Sequence, residues 1–188
     1  MDTRRQQWTS RKIGDLCRLV NGRAFKPSQW SDQGLPIIRI QNLNDPEKPF
    51  NYFSGAYESK HLVKPGDVLL SWSGTPGTSF GCFIWDRDAG VLNQHIFRVH
   101  VNEGLCTPLF FVYGVNNALD EMIGKAHGGV GLRHITKGKL EQIELPIAPL
   151  PEQHRIEAKV RECFGKLDEI TELATFRRKN EGLSPVIS

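Results

Sequence analysis

Ser71-Trp72-Ser73-Gly74-Thr75 is the nearest approach to a nucleophile turn in this sequence. It fails the G-x-S-x-G pattern, because Ser71 rather than glycine stands two residues before Ser73. A phosphate-cradling loop needs Gly-Lys-Ser/Thr, whereas Gly124-Lys125 is followed by Ala126 and Gly138-Lys139 by Leu140. His127-Gly128-Gly129-Val130-Gly131 could offer backbone N–H groups to an anion; the same glycines suit a tight turn or a close backbone approach. Asn44-Asp45-Pro46-Glu47 lacks the second proline and the aromatic of an amino-methyltransferase motif, and no glycine-rich cofactor segment precedes it. Cys17, Cys82, Cys106 and Cys163 lie far apart without a CxxC pair, so reduced thiols are expected and a zinc site is not. A small hydrolase built on Ser73 or His95 lacks the rest of its constellation. No catalysis, cofactor or metal is expected.

Side chains suited to nucleic acid are easier to find. Arg39, Gln41 and Asn42 follow an apolar run. Arginine pairs bidentately with guanine, and Asn and Gln pair with adenine. Ser71, Ser73 and Thr75 follow a second apolar run. Between Met122 and Leu140 stand Lys125, Arg133, Lys137 and Lys139 with His127 and His134, and no acid, a local charge that a phosphate backbone attracts. Chemistry and position together nominate Lys26, Lys125, Arg133, Lys137 and Lys139 for phosphates, and Arg39, Asn42, Ser73 and His134 for bases. His95 reads as a hydrogen-bonded structural histidine and His61 as an exposed loop residue. The net charge of +3 is uneven: residues 151–188 balance seven basic against seven acidic side chains, so the excess lies in residues 1–150.

These residues need a scaffold, and residues 8–150 read as strand-rich. Apolar runs at Leu35–Ile40 and Asp67–Trp72 each follow turn residues. A hairpin is expected from Gly81–Trp85 across Asp86–Gly90 into Val91 and on through His95–Val101, whose alternation suits a sheet with one wet face. Thr107–Lys125 carries Leu109, Val112, Val115, Leu119 and Met122 at helical spacing. A last strand is expected over Leu140–Ile147. Pro151 and Glu152 then open a helix. From Ile156 the apolar positions Val160, Cys163, Leu167, Ile170 and Ala174 advance by alternating steps of four and three, with Phe164 and Leu173 widening the stripe. That is a coiled-coil seam seeking another helix. The expected fold is α+β: a recognition domain over residues 1–149 with a few helices, one long coiled-coil-forming helix over 150–180, and a tail over 181–188. No run of about 18 apolar residues and no apolar stretch behind the N-terminal charges is present, so a cytoplasmic protein without membrane contact is expected.

The ordered set Ile13-Gly14-Asp15-Leu16, Asn21-Gly22-Arg23-Ala24-Phe25, Gly34-Leu35-Pro36-Ile37-Ile38-Arg39-Ile40-Gln41-Asn42, Pro65-Gly66-Asp67-Val68-Leu69-Leu70-Ser71, Leu92-Asn93-Gln94-His95-Ile96-Phe97-Arg98 and Pro149-Leu150-Pro151-Glu152-Gln153 resembles the type I restriction–modification specificity subunit. The resemblance implies a target-recognition domain that binds double-stranded DNA and a spacer helix. It also implies docking of adenine-N6 methyltransferase subunits and, in some systems, of the ATP-dependent restriction subunit. Such subunits carry two recognition domains and two antiparallel helices and read a bipartite target. With one of each, this chain is expected to be either a half-sized subunit that forms a homodimer through Ile156–Ala174, with a palindromic target, or part of a longer subunit with an asymmetric one. The alternative is a coiled-coil adaptor that does not bind DNA.

Overall fold

The computed structural model describes residues 7–45, 47–72, 80–125 and 136–181. Among the described residues the mixed α+β character expected from the sequence is present, with two four-stranded sheets, a two-stranded ladder, several short helices, one helix of 18 residues and one of 32. By its contacts the chain falls into two compact units, Met1–Leu150 and Pro151–Ser188.

In the first unit, β2 (Cys17–Asn21), β9 (Ile96–Val101), β6 (Val68–Ser71) and β7 (Gly81–Ile84) form an antiparallel sheet in that order. A second sheet runs β4 (Tyr52–Phe53), β3 (Leu35–Ile38), β8 (Gly90–Leu92), β5 (Leu62–Val63), with β3 and β8 parallel. Its two central strands are covered on both faces, which is why they read as unbroken apolar runs rather than alternating ones. Ile38, Leu92 and Val63 meet Leu69, Ile96 and Trp85 on one side. Ile37 and Val91 meet Phe25 and Phe53 on the other. Each such side chain taken from water contributes about 1.5–3 kcal/mol. The ladder pairs β1 (Thr9–Lys12) with β10 (Glu144–Ile147).

The hairpin expected from Gly81 to Val101 is absent. β7 and β9 flank β6 on opposite sides, and between them the chain crosses to the other sheet as β8. Gly90 permits the crossing, because a Cβ there would lie 2.6 Å from the carbonyl oxygen of Pro36. The strand expected over Leu140–Ile147 is also shorter. Lys137–Glu141 is a helical turn, α4, with Thr136 as N-cap accepting from the Lys139 N–H, and only Glu144–Ile147 pairs. Ahead of these stand α1 (Ile13–Leu16), α2 (Ile40–Asn44) and α3 (Pro108–Lys125). α3 serves the exposed edge of β7: the Asn116 carboxamide accepts from the Cys82 N–H at 2.7 Å and donates to its carbonyl at 2.9 Å, so the edge finds partners within the domain.

The second unit is the body of α5 (Leu150–Glu181), 32 residues and about 48 Å long at the rise of an α-helix. Ion pairs Glu152–Arg155, Lys159–Glu162 and Glu162–Lys166 lace its surface at helical spacing. Among the described residues no helix is long and apolar enough to cross a membrane.

Candidate nucleic-acid interface

Because β3 and β8 run parallel, their C-terminal ends arrive together, tied by Asn93 N–H to the Ile38 carbonyl at 3.0 Å. Both strands break there into polar residues: Arg39 and Gln41 after β3, and Asn93, Gln94 and His95 after β8. A cleft of about 250 Å³ lies between these breaks, with Phe25 and Trp30 as its aromatic wall. A larger cavity of about 650 Å³ opens near Gly34 and Ala89, but none of the predicted site residues lines it.

The cleft is held from behind by buried groups. Asn42 is fully buried, and its carboxamide accepts from the Arg39 N–H at 3.1 Å and donates to the Lys48 carbonyl at 3.0 Å. Its own carbonyl accepts from Arg87, whose guanidinium lies over the Trp85 ring at 4.3 Å. The turn at Asn93–His95 is clamped by the segment after β2. Gly22 crosses so closely that a Cβ would sit 2.1 Å from the Asn93 carbonyl oxygen, and its N–H donates to Ile96. The Trp72 ring lies 5.6 Å from that of His95, and Gln94 Nε2 meets His95 Nε2 at 3.2 Å. Arg39 lays its guanidinium over Trp30 at 5.6 Å, and Trp30 is 40% exposed. This arrangement offers a flat aromatic, a charged fork and amide groups on rigid strand ends.

Of the residues nominated from sequence, the structure brings Arg39 to this cleft, and Lys26, next in sequence to the lining residue Phe25, is exposed. Lys139 is exposed on α4. Lys137 is engaged within the domain, donating to the Leu19 carbonyl at 3.1 Å and lying 3.6 Å from Glu141. Asn42, nominated as a base reader, is the brace behind Arg39 and has no exposed surface. The apolar run ends at Ile38 rather than Ile40, and this turns Asn42 inward on α2. Ser73, Arg133 and His134 lie outside the described residues, as does the side chain of Lys125. His61 is buried rather than exposed, and burial holds its pKa below the ordinary value. Gln94, His95 and Trp30 were not nominated as contacts. The signal for the first two was the polar triplet Asn93-Gln94-His95, set between apolar strands.

On α5, Phe164, Leu167 and Ile170 are 55%, 56% and 62% exposed. Cys163 is exposed, and Ile156 and Val160 are half-buried. The side chain of Ala174 lies outside the description. Among the described residues no group of three His, Cys, Asp or Glu is placed to hold a metal.

The sequence model of the type I restriction modification DNA specificity domain matches residues 5–181, and the chain belongs to that family. It is 26% identical over 163 residues to the specificity subunit of the type I restriction enzyme EcoBI of Escherichia coli, covering 86% of this chain and 33% of that protein. It is also 26% identical over 167 residues to the MjaVIII specificity subunit of Methanocaldococcus jannaschii, covering 86% of this chain and 37% of the relative. In fold it resembles the HsdS subunit from Thermoanaerobacter tengcongensis, with a TM-score of 0.65 at 19% identity over 92% of this chain and 41% of that one. The chain spans about a third of the length of the curated relatives it matches.

Proposed function

We propose that the chain is the DNA-recognition part of a type I specificity subunit, reading one half of a bipartite duplex target without chemistry of its own. Methyl transfer, and cleavage where it occurs, belong in this reading to adenine-N6 methyltransferase subunits and an ATP-dependent restriction subunit that dock on it. The observation that carries the reading is the family match along residues 5–181. The cleft supports it, since rigid strand ends presenting Arg39 and Gln41 are the kind of platform from which base edges are read. Lys26 and Lys139 are the phosphate contacts best supported by their exposure. Ser73, Lys125, Arg133 and His134 are proposed from sequence position alone. Lys137 and Asn42 act in support of the others.

In this reading α5 is the spacer. Its exposed Phe164, Leu167 and Ile170 take a second helix, either from another copy of this chain or from a further segment of the same subunit. Co-expression with an adenine-N6 methyltransferase subunit, followed by mapping of methylated adenines, tests the proposal. A bipartite pattern that disappears with Arg39→Ala is expected, palindromic if two copies pair. Methylation that is absent, or whose pattern ignores the presence of this chain, overturns it.

A further inference from the structure

The guanidinium of Arg23 is held in place by the fold. It lies over the rings of Phe25 and Phe53 at 4.8 and 4.9 Å, and its Nη1 donates to the Ala56 carbonyl at 3.2 Å. Both rings are buried with Ile37 and Val91, so core packing fixes the platform. The backbone is fixed as well. The Arg23 N–H donates to the Leu92 carbonyl at 2.9 Å, and the residue pairs with Asn93 in an isolated parallel bridge. Rotamer freedom that a mobile arginine loses on engaging a ligand is here already lost on folding.

Most of the fork is free. Nε and Nη2, the side-on pair of N–H donors, have no partner among the described residues. Arg23 is half-buried, and neither atom is enclosed without a partner. Nor is its charge matched. Ion pairs among the described residues join Lys48, Lys60, Arg98 and Lys137 to Asp45, Glu58, Asp67 and Glu141. Arg23 is in none of them. Glu58 has its pKa lowered first by its hydrogen bond to Lys60 and only at longer range by Arg23. The stretch from Asn21 to Trp30 adds Lys26, which is exposed, and contains no acid.

These features select a ligand. A fixed fork with unmatched charge suits an anion that presents two oxygens side by side. A guanidinium laid flat on its own domain does not project, so it does not reach into a groove for a base edge. It meets what stands furthest out from a duplex, the phosphate backbone. Arg23 is also well placed beside the strand ends, since Phe25 and Trp30 line the cleft that Arg39 and Gln41 also line.

We propose that Arg23 grips one phosphate of the duplex backbone in a fixed fork, and so holds the DNA against the strand ends that carry Arg39 and Gln41. The proposal rests on the reading of the domain as DNA-binding.

The test uses the full chain and a duplex that it selects from a randomised pool, with each phosphate replaced in turn by an uncharged methylphosphonate. At one position the replacement should weaken binding roughly tenfold in the unaltered chain and hardly at all in Arg23→Met. That variant keeps a stem for the two rings but no charge. It should also flatten the logarithmic salt dependence by about one unit while selecting the same bases. Arg23→Lys keeps the charge and loses the fork, so the salt slope should stay and the penalty at that phosphate should shrink severalfold. If Arg23→Met melts well below the unaltered chain, this second variant decides, and an undiminished penalty overturns the proposal. Unchanged affinity and slope in Arg23→Met would mean that Arg23 serves the scaffold alone. A changed base at one position with the slope intact would make it a base reader. In either case the proposal fails and the DNA reading stands. If the unaltered chain selects no duplex, that reading fails and the proposal with it.

Discussion

Asn42 illustrates how a side chain of the right type for DNA can serve the scaffold instead. Its carboxamide is fully buried and bonded to the backbone at Arg39 and Lys48. Truncation takes this partner from the Arg39 N–H and the Lys48 carbonyl, in part-buried hydrogen bonds, at about 1–2 kcal/mol each. Asn42→Ala should therefore lower unfolding free energy by about 2–4 kcal/mol in urea denaturation; a loss under about 1 kcal/mol would contradict the assigned role. Histidines give a second test at this scale. Burial comes first in holding His61 below its ordinary value of 6.5, and it does the same for His100, where Arg18 and Arg98 add to the effect. The folded state thus prefers these rings neutral, while the unfolded chain takes up protons near 6.5. The stabilisation is complete above that pH and is lost as pH falls below it. The melting temperature should drop between about pH 7 and 5, and the drop should shrink in His61→Gln with His100→Gln. An unchanged profile in the double variant would contradict this assignment.

The elements were legible where periodicity was long. α3 shows its helical spacing over 18 residues, and the steps of four and three along Ile156–Ala174 lie within α5. Pairing was not legible. Alternation in β9 identifies a strand but carries no information about its neighbour, and the crossing of β8 depends on the space left by Gly90 against Pro36. Leu140 fits an apolar strand by type, yet the Thr136 cap places it in α4. The cleft was half legible: Arg39 was visible as a polar residue ending an apolar run, whereas Gln94 and His95 line it because β3 and β8 end side by side. The exposed seam of α5 makes its own prediction. Leu167→Lys with Ile170→Lys should leave the melting of the first unit unchanged while abolishing helix-mediated association in analytical ultracentrifugation. Association that survives the double variant would mean that another surface is responsible.

At the scale of the molecule, charge and fold point the same way. The basic excess lies in residues 1–150, and the charges of residues 151–188 cancel, the distribution that the proposed DNA-binding domain and helix-pairing spacer would call for. If Lys26 and Lys139 contact the backbone, replacing both with Ala should weaken binding to every duplex alike and flatten the logarithmic salt dependence by about one unit of slope per contact. An unchanged slope would place the phosphates elsewhere. The central claim, that this chain selects DNA by sequence, is tested most directly by incubating the purified chain with a randomised duplex pool and sequencing what it retains. Enrichment of one short motif, weakened at particular positions by Arg39→Ala, is the predicted result. A retained pool as random as the starting one would contradict the account.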